Sequence, residues 1–261
     1  SHGIPEELAR ILMHRGFDSE EKLSHFLYDN LDHLSDPFLM KGMDKAVSCI
    51  LQAIDQHEKI VVYGDYDVDG ITSTSIMMRC LSSLGADVGY YIPQREKEGY
   101  GLNREAVKHL AEEGYHLLIT VDCGISSAAL ISEAPKGFDI IVTDHHTPPE
   151  LLPSCVAVLN PHQKDCHYPY KELAGCGVAY TLCRGLYMNR LGRDYDGTVE
   201  LAALGTIADV VSLTGENRIL VKEGMKRFIH TPIKGLAALL KASGLVHADT
   251  TAVRRAAQVS F

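Results

Sequence analysis

The sequence predicts an α/β fold: a Rossmann-like parallel sheet flanked by helices, with a short helical N-terminal segment and a mostly helical C-terminal part. Three observations carry this. Apolar, β-branched runs recur near 60–63, 87–92, 117–121, 139–142 and 156–159, and such continuous hydrophobicity marks strands buried on both faces. Segments of helical periodicity alternate with them, which implies parallel strands joined by right-handed crossovers. Acidic residues stand where several of the runs stop, at the strand ends where open α/β sheets place their ligands.

The elements follow in order. Residues 5–31 read as short helices, with Pro5 near a start and Gly16 at a stop. Asp36 to Met40 links them to a helix from Met43 to His57. Helices are then expected near 71–84, 103–113 and 125–133 between the strands, and near 171–191, 196–207, 216–229 and 232–242 beyond them. The natural division is an N-terminal helical segment, 1–42, and one larger domain, 43–261, whose helical part starts near 171. No repeat or low-complexity tract interrupts it.

The densest chemistry lies in Gly64-Asp65-Tyr66-Asp67-Val68-Asp69-Gly70, directly after the first strand. Three carboxylates on alternate residues of a loop repel one another, and a divalent cation removes that cost. Oxygen ligands suit Mg²⁺ or Mn²⁺. An Asx-rich turn would use the same residues. An EF-hand loop is excluded, because its twelfth position, counted from Asp65, holds Ile76 and not Glu. The theme recurs in Asp122-Cys123-Gly124, in Asp144-His145-His146 and in Asp209 at the end of an apolar segment. Singly, Asp122 could be a turn former, His145 a core histidine and Asp209 a cap. Together they point to a metal cluster gathered on one sheet edge. Gly175-Cys176-Gly177 before a helix could hold a phosphate on backbone N–H groups or serve close packing. Tyr100 could stack on a base or pack ordinarily, and Arg95 is the cation best placed beside a Gly-rich loop near substrate.

Composition limits the function. With 261 residues, 46% of them hydrophobic, the chain has a sizeable core. No apolar run approaches the roughly 20 residues of a membrane span. Seven cysteines without a C-x-x-C pair suit a reduced, cytoplasmic protein better than a disulfide framework or a zinc site. A net charge of −9 argues against a generic nucleic-acid coat protein, yet leaves room for an enzyme that engages phosphates locally.

The set GDYDVDGITS, VDCGISS, VTDHH and GTIADVVSL, from Gly64 to Leu213, resembles the DHH phosphoesterase superfamily, and within it the RecJ-type single-strand-specific exonucleases. The pieces around Tyr91-Ile92-Pro93, Glu98 to Leu102, Leu159 to His162 and Leu173 to Ala179 match as well. The resemblance implies two bound ions, Mn²⁺ or Mg²⁺. It implies that Asp67 binds one and Asp69 the other, that Asp122 bridges them, and that His145 and Asp209 complete the second site. Asp144 would be a ligand or orient its neighbours, and His146 would contact the scissile phosphate. Asp122, His145 and His146 would thus be catalytic, with Arg95, Tyr100, His146, Gly175 and Gly177 near substrate.

The chain departs from the superfamily at Tyr63, four residues before Asp67, where many members have a His. Asp65 is the expected substitute ligand. The implied function is 5′-to-3′ degradation of single-stranded DNA to nucleoside 5′-monophosphates in DNA repair and recombination, in the cytoplasm, alongside replication or repair partners. The alternatives are a small-substrate DHH phosphoesterase, such as an oligoribonuclease or a cyclic-dinucleotide phosphodiesterase, and a non-catalytic scaffold. The family's second domain, DHHA1, has no counterpart in these residues, so a catalytic core cut from a longer chain is expected.

Overall fold

The computed structural model describes residues 5–94, 99, 101–228 and 230–243. Its elements in chain order are α1 (Glu6–His14), α2 (Glu20–Tyr28), α3 (Met43–Asp55), β1 (Ile60–Gly64), α4 (Val68–Ser83), β2 (Val88–Tyr91), α5 (Arg104–Glu112), β3 (Leu117–Val121), α6 (Ala128–Ser132), β4 (Asp139–Thr143), β5 (Ala157–Leu159), α7 (Gly175–Leu191), α8 (Val199–Ala208), α9 (Gly215–Phe228) and α10 (Lys234–Ala242).

The five strands form one sheet in the order β2-β1-β3-β4-β5, parallel at every pairing. Period-2 alternation sends their side chains into two separate cores. Ile60, Val62, Leu117, Ile119, Val121 and Ile141 join the larger one, built with α3, α4, α7 and the helices that follow. Val61, Tyr63, Leu118, Ile140 and Val142 join the smaller one, closed by α5 and α6. Burial on both sides is why the strands read as unbroken apolar runs.

After β1 the chain crosses outward to β2, then returns past β1 to β3. The direction of winding reverses there, and a crevice opens at the carboxyl ends of β1 and β3. Above one face, α8 is buried from Val199 to Thr206 and packs against α4, α7 and α9. Its carboxyl end delivers Asp209 to the crevice.

The helix expected over 71–84 starts earlier, at Val68. Asp67 is its N-cap, with Oδ1 accepting from the Gly70 N–H at 2.8 Å, an interaction of about 1 kcal/mol. Gly70 allows the early start, since a Cβ there would lie 2.5 Å from the Asp65 carbonyl oxygen. The three carboxylates therefore do not share one loop. Asp65 and Asp67 do, while Asp69 stands in the first helical turn. Likewise, the helix expected from 171 begins at Gly175, and the one expected over 125–133 shortens to Ala128–Ser132.

Candidate metal centre

The crevice gathers acidic and imidazole side chains from four segments. Asp65, Asp67 and Asp69 follow β1, Asp122 follows β3, Asp144 to His146 follow β4, and Asp209 caps α8. Three groups place their ligand atoms within 4.8 Å of one another: Asp65 with Asp67 and Asp122; Asp69 with His145 and Asp209; and Asp122 with His145 and His146. Asp122 is shared by the first and third groups, so the two ends of the crevice meet at it. His145 Nε2 lies 3.1 Å from Asp122 Oδ1, 3.7 Å from Asp209 Oδ2 and 3.9 Å from Asp69 Oδ2.

Asp69 is held most firmly. It is 1% exposed, and its two oxygens accept from Gly175 N–H at 2.7 Å and Cys176 N–H at 2.9 Å. The anion at the α7 N-terminus is thus a carboxylate of the chain itself. Of the two readings of Gly175 and Gly177, phosphate holding and close packing, the geometry matches close packing, since Asp69 already takes the Gly175 and Cys176 N–H groups. Gly175 serves close approach instead: a Cβ there would lie 2.7 Å from the Asp122 Cβ and Oδ1. A Cβ on Gly177 would press on Leu173 Cδ2 at 3.0 Å.

Asp144 belongs to none of the three groups. Its Oδ1 accepts from the His145 and His146 N–H groups and meets His146 Nδ1 at 2.7 Å, and its Oδ2 accepts from Ile125 N–H. Burial pushes this carboxyl up, but these hydrogen bonds outweigh burial and hold it below the usual range. Of the two expectations for Asp144, the geometry matches orientation of its neighbours rather than ligation. In turn, the hydrogen bond to Asp144 raises the His146 imidazole above its ordinary value.

The other carboxyls move the opposite way. Burial first, then the charges of Asp69 and Asp67, push Asp122 up to about 11. Burial first, then Asp69, raises Asp209 to about 6. Burial also raises Asp69. Asp122 Oδ1, His145 Nε2 and Asp209 Oδ2 are buried polar atoms that make no hydrogen bond. Buried groups are ordinarily satisfied. A set of such atoms converging from carboxylates and an imidazole fits a divalent cation.

Asp122 adopts φ 59°, in the left-handed region where Asp is among the few tolerated side chains. Tyr63 is not near these groups. It is fully buried in the smaller core, stacked on Tyr91 at 5.1 Å, and its hydroxyl donates to the Gly101 carbonyl at 3.1 Å. A His at that position would face the core behind β1, so the expectation that position 63 borders the centre is corrected. Arg95 and Tyr100 lie outside the described residues.

Two contributors lie within segments that carry the family resemblance but had no role assigned from sequence. Asn160, buried at the end of β5, donates from Nδ2 to the His146 carbonyl at 2.9 Å and accepts the His162 N–H on Oδ1 at 2.8 Å. It pins the His146 segment to the edge strand. Its signal was an Asn-Pro pair directly after a strand. Gly205 lies where α8 crosses α4. A Cβ there would collide with Thr72 Oγ1 and lie 2.7 Å from Cys176 Sγ and 2.8 Å from Asp69 Oδ1. A lone Gly inside an apolar helix was its signal.

A doubly wound parallel sheet with carboxylates and a tandem histidine converging at its switch point defines an α/β protein built to hold cations. The model of the DHH family's N-terminal domain matches residues 59–207, and the chain belongs to that family. It is similar to the single-stranded-DNA-specific exonuclease RecJ of Bacillus subtilis, with 48% identity over 238 residues that cover 91% of this chain and 30% of that protein. Among solved structures, an exonuclease RecJ bound to manganese matches with a TM-score of 0.75 at 42% identity, covering 85% of this chain and 56% of that one. RecJ of Thermus thermophilus in complex with Mn²⁺ matches with a TM-score of 0.72 at 39% identity, covering 88% of this chain and 32% of that one. The chain thus spans less than half the length of the B. subtilis relative.

Proposed function

We propose that this chain is the catalytic portion of a RecJ-type exonuclease, which hydrolyses phosphodiester bonds of single-stranded DNA from the 5′ end and releases nucleoside 5′-monophosphates. The observation that carries the reading is the meeting of the Asp65/Asp67/Asp122 and Asp69/His145/Asp209 groups in one crevice. The similarity to the RecJ proteins supports the substrate class. We read residues 1–42 as an N-terminal segment and 43–261 as the phosphoesterase domain.

In this reading Asp65, Asp67 and Asp122 hold one divalent cation, Mn²⁺ or Mg²⁺, and Asp69, His145 and Asp209 hold a second. A pair of such ions supplies an activated water and neutralises charge on the attacking and leaving oxygens of an in-line displacement. Asp122 stands between the groups and fixes their separation. His146, kept protonated on Nδ1 by Asp144, presents the other side of its half-exposed ring to the substrate and donates to a phosphoryl oxygen. Asp144 and Asn160 hold that ring and its backbone in place. All seven cysteines are free, which accords with a reducing compartment such as the cytoplasm. A role in DNA repair and recombination, with replication or repair partners, follows from the same family reading.

The test is product analysis. The chain with Mn²⁺ is incubated with 5′-labelled and 3′-labelled single-stranded DNA, with duplex DNA and with RNA. Release of 5′-mononucleotides from the 5′ end of single strands, abolished in Asp122→Asn, is the expected result. Internal cleavage, or hydrolysis of mononucleotide-sized substrates only, would overturn it.

A further inference from the structure

Asn217, in the first turn of α9, is fully buried. Its Nδ2 donates to two main-chain carbonyls, that of Ser212 at 3.0 Å and that of Glu172. Its Oδ1 is buried without a partner, an exception that calls for an explanation. Both neighbours are carbonyls and require N–H donors, so an ionised carboxylate could not stand in for this amide.

The two carbonyls belong to segments that serve one ligand group. Glu172 precedes Gly175 by three residues, and the Gly175 and Cys176 N–H groups hold Asp69. Leu173 and Ala174 between them are buried in the larger core, so this segment is a fixed reference. Ser212 follows Asp209 by three residues, in a loop with less support. Val210 turns the chain there at φ 60° with its side chain 76% exposed. Val211 is partly buried against the larger core. The polar anchors come next: the Tyr170 hydroxyl donates to the Ser212 carbonyl at 3.2 Å and meets Thr214 Oγ1 at 3.3 Å. The first turn of α9 is itself pinned, because Glu216 accepts from the Tyr168 hydroxyl at 2.5 Å and from the Ser35 N–H at 3.2 Å.

We propose that Asn217, seconded by Tyr170, is a positioning residue for the cation centre. Its amide ties the segment that leaves Asp209 to the segment that holds Asp69, and so fixes how far apart the two carboxylates stand. This rests on the reading that Asp69, His145 and Asp209 hold one ion. The Asp209 side chain is 22% exposed against 1% for Asp69, and it lies at the end of its helix, so it is the ligand that needs an outside hold. The Gly205 contact fixes α8 against α4, and the clasped loop beyond fixes how the last carboxylate of α8 is presented. Asp65, Asp67 and Asp122 stand on other segments and do not depend on the clasp.

Mn²⁺ binding to the metal-free chain, followed by calorimetry and electron paramagnetic resonance, tests this. Two Mn²⁺ about 3.5–4 Å apart give a spin-coupled signal distinct from that of a lone ion. Losing a hydrogen-bond partner behind a metal ligand weakens metal affinity by about 10–100-fold. Asn217 acts through the main chain, so Asn217→Ala should weaken one ion by about tenfold, the same ion that Asp209→Asn weakens. Tyr170→Phe, which keeps the ring against Gly215, should weaken that ion to a smaller extent. The other ion should keep its affinity in both. At a Mn²⁺ concentration that couples the wild-type pair, Asn217→Ala should show a lone ion, with coupling restored as Mn²⁺ is raised.

Wild-type affinities for both ions in both variants would overturn the clasp. So would equal weakening of the two ions, which would mark a general structural role. If Asn217→Ala does not fold, Tyr170→Phe decides alone: selective weakening supports the clasp, and unchanged binding overturns it. A wild-type chain that binds a single Mn²⁺ would overturn the two-ion reading itself, and the clasp with it.

Discussion

Asp122→Asn in metal-free protein should stabilise the fold, although it removes a side chain proposed to be catalytic. The Asp122 carboxyl is 2% exposed and is pushed up to about 11, by burial first and then by Asp69 and Asp67. In the unfolded chain it titrates near 3.9. Between those values the folded protein keeps a proton that the unfolded chain has released. Its contribution is therefore fully present below about pH 4 and is lost as pH rises, at about 1.4 kcal/mol per unit. At pH 7 the accumulated loss is about 4 kcal/mol. Coupling to Asp69 shares that cost, so one replacement should recover about 2–4 kcal/mol.

Asn is the suitable substitution, because it keeps the volume and tolerates φ 59°. The assay is urea denaturation in EDTA at pH 5, 6 and 7. The difference between variant and wild type should grow with pH. Saturating Mn²⁺ should narrow the difference by up to about 2.7 kcal/mol, the gain from a ligand at about 100 times its dissociation constant, because the variant has lost a carboxylate common to two groups. A variant less stable than wild type in EDTA at pH 7, or equal pH slopes, would refute the electrostatic argument.

Further expectations concern neighbouring side chains. Asp69→Ala should act in the opposite direction in EDTA, costing about 2–4 kcal/mol, because it leaves the buried Gly175 and Cys176 N–H groups without their acceptor; the same urea series measures it. Mn²⁺ binding should release protons, seen as a buffer-dependent heat. Its affinity should fall as pH drops through about 6, where the raised Asp209 carboxyl takes up a proton. A buffer-independent heat would contradict this. Tyr63→His should destabilise the protein by about 2–4 kcal/mol through lost core packing without changing the number of ions bound, and a gain of metal affinity would contradict the placement of Tyr63.

The sheet was legible because burial on both faces leaves a simple trace: β1, β3 and β4 are apolar without alternation, and their ends carry Asp65, Asp122 and Asp144. The gathering of these residues at one edge followed from parallel topology alone. What stayed hidden depends on contacts between distant segments. That Asp69 caps α7 requires knowing that residue 175 lies above residue 69. Asn160 gains its role only when β5 pairs with β4. Gly70 and Asp67 together start α4 three residues early, a matter of local sterics that helical periodicity does not register. Tyr63 was misjudged because a motif position was read as a spatial one, while strand parity sends its ring into the smaller core.

The crossing at Gly205 bears on which ion the protein accepts. With no side chain of its own at Gly205, α8 lies directly against the Thr72 hydroxyl and the Asp69 carboxylate of α4, so the two helices act as the jaws of a calliper whose opening is set by that contact. Asp69 rides on one jaw and Asp209 on the other, 140 positions apart in the chain. A loop-borne pair of carboxylates could spread to suit a larger ion, but this pair would have to pry the helices apart. On the proposed assignment of Asp69 and Asp209 to one ion, such a gauge should favour ions with bonds near 2.1 Å over Ca²⁺, at about 2.4 Å. Any side chain at position 205 would reset the gauge, and on that assignment discrimination by ionic radius would become a property of helix packing, remote from the ligands themselves.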